Sequence, residues 1–449
     1  MIFKRKIYDR LKEWKHLSGG SSAVMLEGAR RIGKSTVVQE FARREYKDYL
    51  VIDFAMAGKD IKQNFDENIG NLDVFFRNLF LLVGKSLPER QAVIIFDEVQ
   101  LFPRARQAIK YLVADGRYDY METGSLISIK RNVQDILIPS EEYKLEMFPM
   151  DFEEFLWAIG DEVTAPFIRE AFTRRKPLGD AVHRKIMQTF RTYMAVGGMP
   201  QAVAAYADGK DYGQIDFVKR NILTLYEEDL RKYDQENREK ASVIFKTIPE
   251  QLGNHNSHFK MSVIDRNARY QNYVQAVSFV AESMIGNECI NVTVPEVSLE
   301  AYADRGNFKL YMGDTGLLVT QIMKNNKDTD VNLYKSLIFD RLGINQGMLL
   351  ENMTAQMLRA NGYSLYFHEF YYREDAAVEK KYEIDFLIVH KRKICPIEVK
   401  SSGYKRHKSF DNFGKKYPIK LEDRYIIYGK DLCFSEGVTY LPFYMTLCL

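Results

Sequence analysis

Glu27-Gly28-Ala29-Arg30-Arg31-Ile32-Gly33-Lys34-Ser35, the stretch EGARRIGKS, closes a short apolar run, AVMLE at 23–27, and opens a segment of helical pattern, KSTVVQEFARREY. Two glycines with four residues between them, followed by Lys-Ser, make a turn whose backbone N–H groups point inward at a helix N-terminus, where the helix dipole favours anions. Glycine is needed where the backbone comes closest to what it holds. The loop is therefore read as a phosphate cradle. Gly28, Ala29, Arg30, Arg31, Ile32 and Gly33 contribute backbone, Lys34 meets phosphate oxygens, and Ser35, with Thr36 beside it, opens the helix.

Working outward, four further apolar runs follow at 49–54 (YLVIDF), 92–98 (AVIIFDE), 118–125 (YDYMETGS) and 143–150 (YKLEMFPM), with helical pattern between them. Strands alternating with helices predict an α/β fold: a five-stranded parallel sheet with helices on both faces, a P-loop NTPase core over residues 1–150. The second run ends in Asp97 and Glu98. At a strand end beside the cradle, Asp97 would hold Mg²⁺ through water together with the Ser35 hydroxyl, and Glu98 would polarise the attacking water. The ligands implied are ATP and Mg²⁺. Thr123 and Ser125, at the end of the next strand, would place a hydroxyl beside the γ-phosphate, although hydroxyls at strand ends also serve as helix caps.

Residues 151–238 read as a helical lid or connector, broken at AVGGMPQAV (195–203). Residues 239–335 hold two helical stretches and then CINVTVP and FKLYMGDTGLLV, which read as strands and predict a winged-helix-like module. In it, a helix carrying Arg266, Arg269, Tyr270 and Gln271 is either a DNA reader or, through Val274, Val277, Phe279, Val280 and Met284, a core helix. Residues 336–449 begin with a helix, GMLLENMTAQMLRANG, and continue through YSLYFHEF, YEIDFLIVH, KICPIEVK and RYIIYG, a helix on a mixed sheet.

On this last segment Asp385 and Glu398-x-Lys400 fall on what should be adjacent strands, and the period of two sets Glu398 and Lys400 on one face. Two acids would bind a divalent metal, and the lysine would orient water or stabilise charge on a phosphate. Glu351 on the preceding helix could complete the cluster. A basic tract from His390 to Lys420 includes Lys405, Arg406, Lys408, Lys415 and Lys416 against only Glu398 and Asp411; it is either a solvated lysine-rich surface or phosphate contacts for nucleic acid.

These motifs in series, EGARRIGKS, IIFDEVQ, METGS, FPMDFEEFL, GGMP, FKLYMGDTGLL and EIDFLI with PIEVK, resemble AAA-type ATPases of bacteria and archaea that carry a C-terminal domain of unknown function. The resemblance implies ATP binding and a core with a strand inserted between the two nucleotide motifs. GGMP is also similar to the Gly-x-Pro turn of signal-transducing regulatory ATPases, in which the proline packs on adenine; that would nominate Gly198 and Pro200, against a helix cap followed by a helix-starting proline. Asp385, Glu398 and Lys400 resemble the active site of restriction-endonuclease-like nucleases, which makes 336–449 a nuclease-like domain expected to bind or cleave DNA or another nucleic acid.

The bulk properties add limits. The chain has 449 residues with a formal charge of +3, too nearly neutral to argue for a partner by itself. Cys289, Cys395, Cys433 and Cys448 are scattered, which argues for reduced thiols and no zinc site. No apolar run reaches the length of a membrane span, so a cytoplasmic protein without a membrane partner is expected. Arg30, Arg31, Arg104 and Arg106 are all open as an arginine finger, in cis or across the interface of a homo-oligomer. The function expected is an ATPase whose nucleotide state is coupled to the C-terminal nuclease-like domain; the alternative is a nucleotide-dependent switch that recruits a protein partner without cutting.

Overall fold

A computed structural model describes residues 2–125, 139–233, 240–254, 258–264, 266, 268–323, 331–338, 346–373, 378–403, 407–417, 421 and 423–449. The chain divides into two compact units, Met1–Phe148 with Glu282–Met284, and Pro149–Ala281 with Ile285–Leu449.

In the first unit, β1 (Ala23–Gly28), β2 (Asp48–Asp53), β3 (Ala92–Asp97), β4 (Asp119–Ser125) and β5 (Glu142–Met147) form one sheet in the order β2-β3-β4-β1-β5. All four pairings are parallel. The helices are α1 (Ile7–Ser18), α2 (Lys34–Glu45), α3 (Lys59–Asn68), α4 (Leu72–Val83) and α5 (Pro103–Asp115). β3 is buried at every position, as a central strand covered on both faces must be. Beside it Phe54, Phe65, Phe75 and Phe96 pack edge to face, with centroids 4.9–5.8 Å apart. The expected α/β core, with β4 lying between the strands that carry the two nucleotide motifs, is the one found.

The second unit begins with helices α6 (Phe152–Ala158), α7 (Thr164–Thr173), α8 (Asp180–Val196), α9 (Pro200–Ala207), α10 (Tyr212–Tyr233), α11 (Lys240–Gly253) and α12 (Val274–Glu282). Asp151 caps α6 by accepting from the N–H of Glu154, whose side chain returns the bond. β6 (Gly286–Val292) and β7 (Ala303–Met312) follow, then α13 (Thr315–Ile322), α14 (Val331–Ile338) and α15 (Gln346–Ala360). β8 (Leu365–Tyr372), β9 (Lys380–His390), β10 (Lys393–Lys400), α16 (Lys408–Lys416), β11 (Tyr425–Tyr428), β12 (Cys433–Ser435) and β13 (Val438–Pro442) complete it.

Three expectations need correction here. The β6–β7 hairpin is no separate wing: β6 pairs in parallel with β8, so the hairpin extends an eight-stranded mixed sheet in the order β12-β13-β11-β10-β9-β8-β6-β7. Exposed hairpin edges are stabilised by pairing, and here β6 pairs with a strand some seventy residues further on, which no local pattern signals. FKLYMGDTGLLV is not one strand. It breaks at Asp314, whose carboxylate accepts from the N–H of Leu317 at 2.9 Å and starts α13. Arg269 and Tyr270–Asn272 form a 3₁₀ turn ahead of α12, which starts only at Val274, so Arg266, Arg269, Tyr270 and Gln271 do not lie on an α-helix; Ala276, Val277, Phe279 and Val280 are buried as a core helix requires.

Candidate functional site

At the carboxyl ends of the parallel strands, β1 gives way to the loop that starts α2. A Cβ at Gly28 would lie 2.4 Å from the Met147 carbonyl and 2.5 Å from Ile32 Cδ1, so only glycine lets the strand turn there. Gly33 caps α2 with φ 92°, and Arg31 lies at φ 68°, left-handed positions that fold the loop back on itself. Ala29 and Ile32 are buried, Arg30 is half-buried, and Arg31 and Thr36 are exposed.

The Lys34 ammonium donates to the carbonyls of Gly28 at 3.0 Å and Ala29 at 2.8 Å. Burial lowers its pKa to about 8, opposed by the nearby carboxylates of Glu98 and Asp97. Adjacent β-pairing brings Asp97 to the same edge. Its Oδ1 accepts from the Ser35 hydroxyl at 2.8 Å, from the Thr123 hydroxyl, and from the N–H of Glu98 at 3.1 Å. Glu98 stands at φ 53°, a conformation side chains rarely adopt and one that turns the chain out of the strand immediately after Asp97. Ser125 is paired in register with Gly28, and its buried Oγ has no hydrogen-bond partner among the described residues. The strand that follows the acidic motif thus sets two hydroxyls differently: Thr123 holds the acid, and Ser125 faces the cradle's first glycine.

Two residues of this site were not read from the sequence. Gln100 Nε2 donates to Glu98 Oε2 and fixes the carboxylate that would act on water. Arg5, buried before α1, donates to the Ile32 carbonyl at 2.9 Å and the Phe148 carbonyl at 2.7 Å, tying the loop to the strand end beyond β5. The only sequence signal for Arg5 is a basic residue next to an apolar helix start, which thousands of surfaces share. Of the arginines open as fingers, Arg106 is removed from consideration: it is 2% exposed and makes paired contacts of 2.6 and 2.7 Å with buried Glu142. Arg104 is exposed and paired with Asp66.

In the second unit, GGMP takes the cap arrangement. Gly197 closes α8 at φ 86° and Pro200 is the first residue of α9. Gly198 donates to Asp314 at 2.6 Å and accepts from Met150 at 2.7 Å. The backbone contacts of Gly198 are therefore within this unit.

The C-terminal carboxylates do gather on one face. Phe386 pairs with Ile397, the antiparallel register that sets Asp385 beside Glu398, and the N–H of Val399 donates to Asp385 at 2.7 Å. Lys400 forms an ion pair with Glu398. Lys309 on β7, also missed from the sequence, is buried and bridges Glu351 on α15 (3.1 Å) and Glu383 on β9 (2.5 Å), while Tyr311 donates to Glu351. Burial raises the pKa values of Asp385, Glu383 and Glu398; neighbouring acids, Glu351 among them, raise Asp385 and Glu383 further against Lys309, while Lys400 opposes the rise at Glu398. Glu398 Oε2 is buried without a hydrogen-bond partner among the described residues. Four carboxylates thus face two ammonium groups. Among the described residues, no three His, Cys, Asp or Glu side chains converge as a ready metal cage.

The basic tract is spread out: Lys391 and Arg392 form the β9–β10 turn, Lys408, Lys415 and Lys416 lie on α16, and Lys416 donates to the Tyr371 carbonyl at 2.8 Å. Lys405, Arg406 and Lys420 lie outside the described residues. No helix among the described residues is long and apolar enough to cross a membrane.

Comparison with known families matches residues 20–156 to the AAA domain, residues 187–328 to a domain of unknown function (DUF8612) and residues 346–445 to a second domain of unknown function (DUF4143). The N-terminal unit is accordingly an AAA-type P-loop domain. No curated protein matches the chain. Among solved structures, the Thermotoga maritima RuvB Holliday junction branch migration motor is similar at 12% identity, covering 63% of this chain and 89% of its own, with a TM-score of 0.29. Cdc6p from Pyrobaculum aerophilum is similar at 12% identity, covering 76% of this chain and 97% of its own, with a TM-score of 0.26.

Proposed function

We propose that the N-terminal unit binds and hydrolyses ATP and that its nucleotide state controls a C-terminal domain acting on nucleic acid. The observation that carries the first half is the shared hydrogen bonding of Asp97 with Ser35 and Thr123, next to Lys34 at the mouth of the loop. A hydroxyl and one carboxylate, joined by substrate phosphates and water, are the donor set Mg²⁺ accepts, and Ser35 and Asp97 supply it. The bound ion would neutralise charge on the β- and γ-phosphate oxygens. The loop amides and Lys34 position the polyphosphate, Glu98 orients water under the hold of Gln100, and Ser125 faces the nucleotide. Lys34→Ala should abolish ATP turnover measured as phosphate release; unchanged turnover would sink this assignment.

The second half is supported by the side-by-side setting of Asp385, Glu398 and Lys400, with one buried Glu398 oxygen to spare. Asp385 and Glu398 fit a divalent cation that completes its shell with phosphate oxygens and water. Lys400 would stabilise charge on the phosphate. Plasmid nicking with Mg²⁺ or Mn²⁺, with and without ATP, should be lost in Glu398→Ala and Lys400→Ala. No nicking by the intact chain, or nicking retained by both variants, would remove the nuclease reading and leave the ATPase standing.

A further inference from the structure

β10 and β11 run parallel, with Lys400 in register with Tyr428, so the loops that follow them, Ser401-Ser402-Gly403 and Gly429-Lys430, leave the same edge of the sheet side by side. The crevice beyond the carboxyl ends of neighbouring parallel strands is where open α/β sheets take their ligands. Here it is a cavity of about 350 Å³, within the range of small-molecule sites. Arg191 on α8, Lys400 and Lys430 line it together with the Ser401 and Ser402 hydroxyls, and no carboxylate is among the described residues of its wall. Met187, Met194, Leu350 and Phe443, all buried, give the same cavity an apolar lining, with Met187 and Met194 on α8 beside Arg191.

We propose that this cavity binds a nucleoside 5′-phosphate. Three cations and two hydroxyls in one cavity match a phosphate, for which arginine offers paired donors and lysine a point charge. The methionine and phenylalanine wall offers a soft, flat-tolerant surface for a base. A sugar phosphate or a phosphorylated peptide would leave that wall in contact with polar groups. Lys400 belongs to both places, since it lines the cavity and its ammonium pairs with Glu398 on the acidic face. A phosphate seated here competes for that ammonium and loosens its grip on Glu398. The choice of a nucleotide rests on the nucleic-acid reading of the Asp385, Glu398 and Lys400 face; the cavity and its charge do not.

The phosphate could belong to a free nucleotide or to the end of a strand. The test uses the full chain carrying Lys34→Ala, so that the P-loop does not contribute, in EDTA, so that no strand is cut. Binding of a fluorescent single-stranded oligonucleotide with a 5′-phosphate is compared with the same strand ending in a hydroxyl, and dTMP is added as competitor. The phosphorylated strand should bind at least about tenfold tighter, a difference that shrinks with salt. Arg191→Ala and Lys430→Ala should each erase most of that preference, Lys430→Arg should restore it, and Glu398→Gln, which releases the Lys400 ammonium from its ion pair, should increase it. Displacement by dTMP assigns the site to free nucleotide, and resistance to dTMP assigns it to strand ends. Equal binding of the two strands, or an undiminished preference in both alanine variants with melting temperatures unchanged, overturns the proposal. Phosphate-dependent binding without any nicking in Mg²⁺ keeps the pocket and removes the nuclease; nicking without phosphate preference does the reverse.

Discussion

Asp97 shows how one side chain gathers what its neighbours present: hydroxyls from α2 and β4 and the amide of Glu98 all reach one carboxylate oxygen. Asp97→Asn would keep the shape but remove the charge, so ATP-dependent turnover should fall by about a hundredfold or more while Mg²⁺-free nucleotide binding changes little. Gln100 acts one step further out. Because it touches Glu98 and not the phosphates, Gln100→Ala should lower kcat by about tenfold with KM nearly unchanged. A matched rise in KM would show that Gln100 serves binding instead. Of these residues, Lys34, Ser35, Asp97 and Glu98 are legible in the sequence, since each sits at a fixed offset from a glycine or a strand end. Gln100, Arg5 and Lys309 are not, because a polar side chain's partner is set by the path of a distant backbone.

Elements differ in how closely the chain must fit. A Cβ at Gly198 would stand 2.1 Å from the Met150 carbonyl and 2.8 Å from its nitrogen, both backbone atoms that cannot swing away. Gly198→Ala should therefore destabilise the second unit by roughly 2–3 kcal/mol, read as a lower midpoint in urea. Gly414 lies inside α16 with nothing within 4 Å of the same added atom. Gly414→Ala should instead stabilise by about 0.5–1 kcal/mol, through the entropy glycine loses in a helix. Each outcome fails if the two variants shift the midpoint alike. The helix start least visible in the sequence is the one at Asp314, because the end of the strand before it and most of the helix after it are buried alike.

At the scale of the whole chain, each unit buries a titratable group whose charge must change on unfolding. In the second unit His368 is enclosed by the Val292 carbonyl and the Tyr417 hydroxyl, and burial lowers its pKa to about 4. A histidine kept neutral in the fold stabilises it above its ordinary pKa, and that contribution is lost as pH falls from about 6.5 towards 4, roughly 3 kcal/mol in all. In the first unit Glu122 is fully buried beside Glu142, and desolvation raises its pKa well above the usual carboxylate range. The sign is opposite: the neutral acid suits the fold, and stability declines as pH rises above the ordinary carboxylate value. Glu122→Gln, which keeps the shape without the charge, should flatten the alkaline side of the first unit's melting profile, and His368→Gln the acidic side of the second. Calorimetry across pH decides it, and profiles that keep both slopes in the variants would refute the assignment.

The sequence by itself determined the α/β core, its strand order of motifs, the phosphate loop and the acidic strand end, because those depend on local periodicity, on glycine's backbone freedom and on fixed spacing along one strand or helix. It also placed Asp385, Glu398 and Lys400 on adjacent strands, by the period of two. Only the tertiary structure decided that β6 and β7 belong to the C-terminal sheet, that Lys309 and Glu383 join the carboxylates, that Arg106 is a buried partner of Glu142, and that Arg191 and Lys430 line one cavity. Each of these is a contact between segments far apart in the chain, and pairing of that kind is chosen by the burial and hydrogen bonding of the whole fold, which no single stretch encodes.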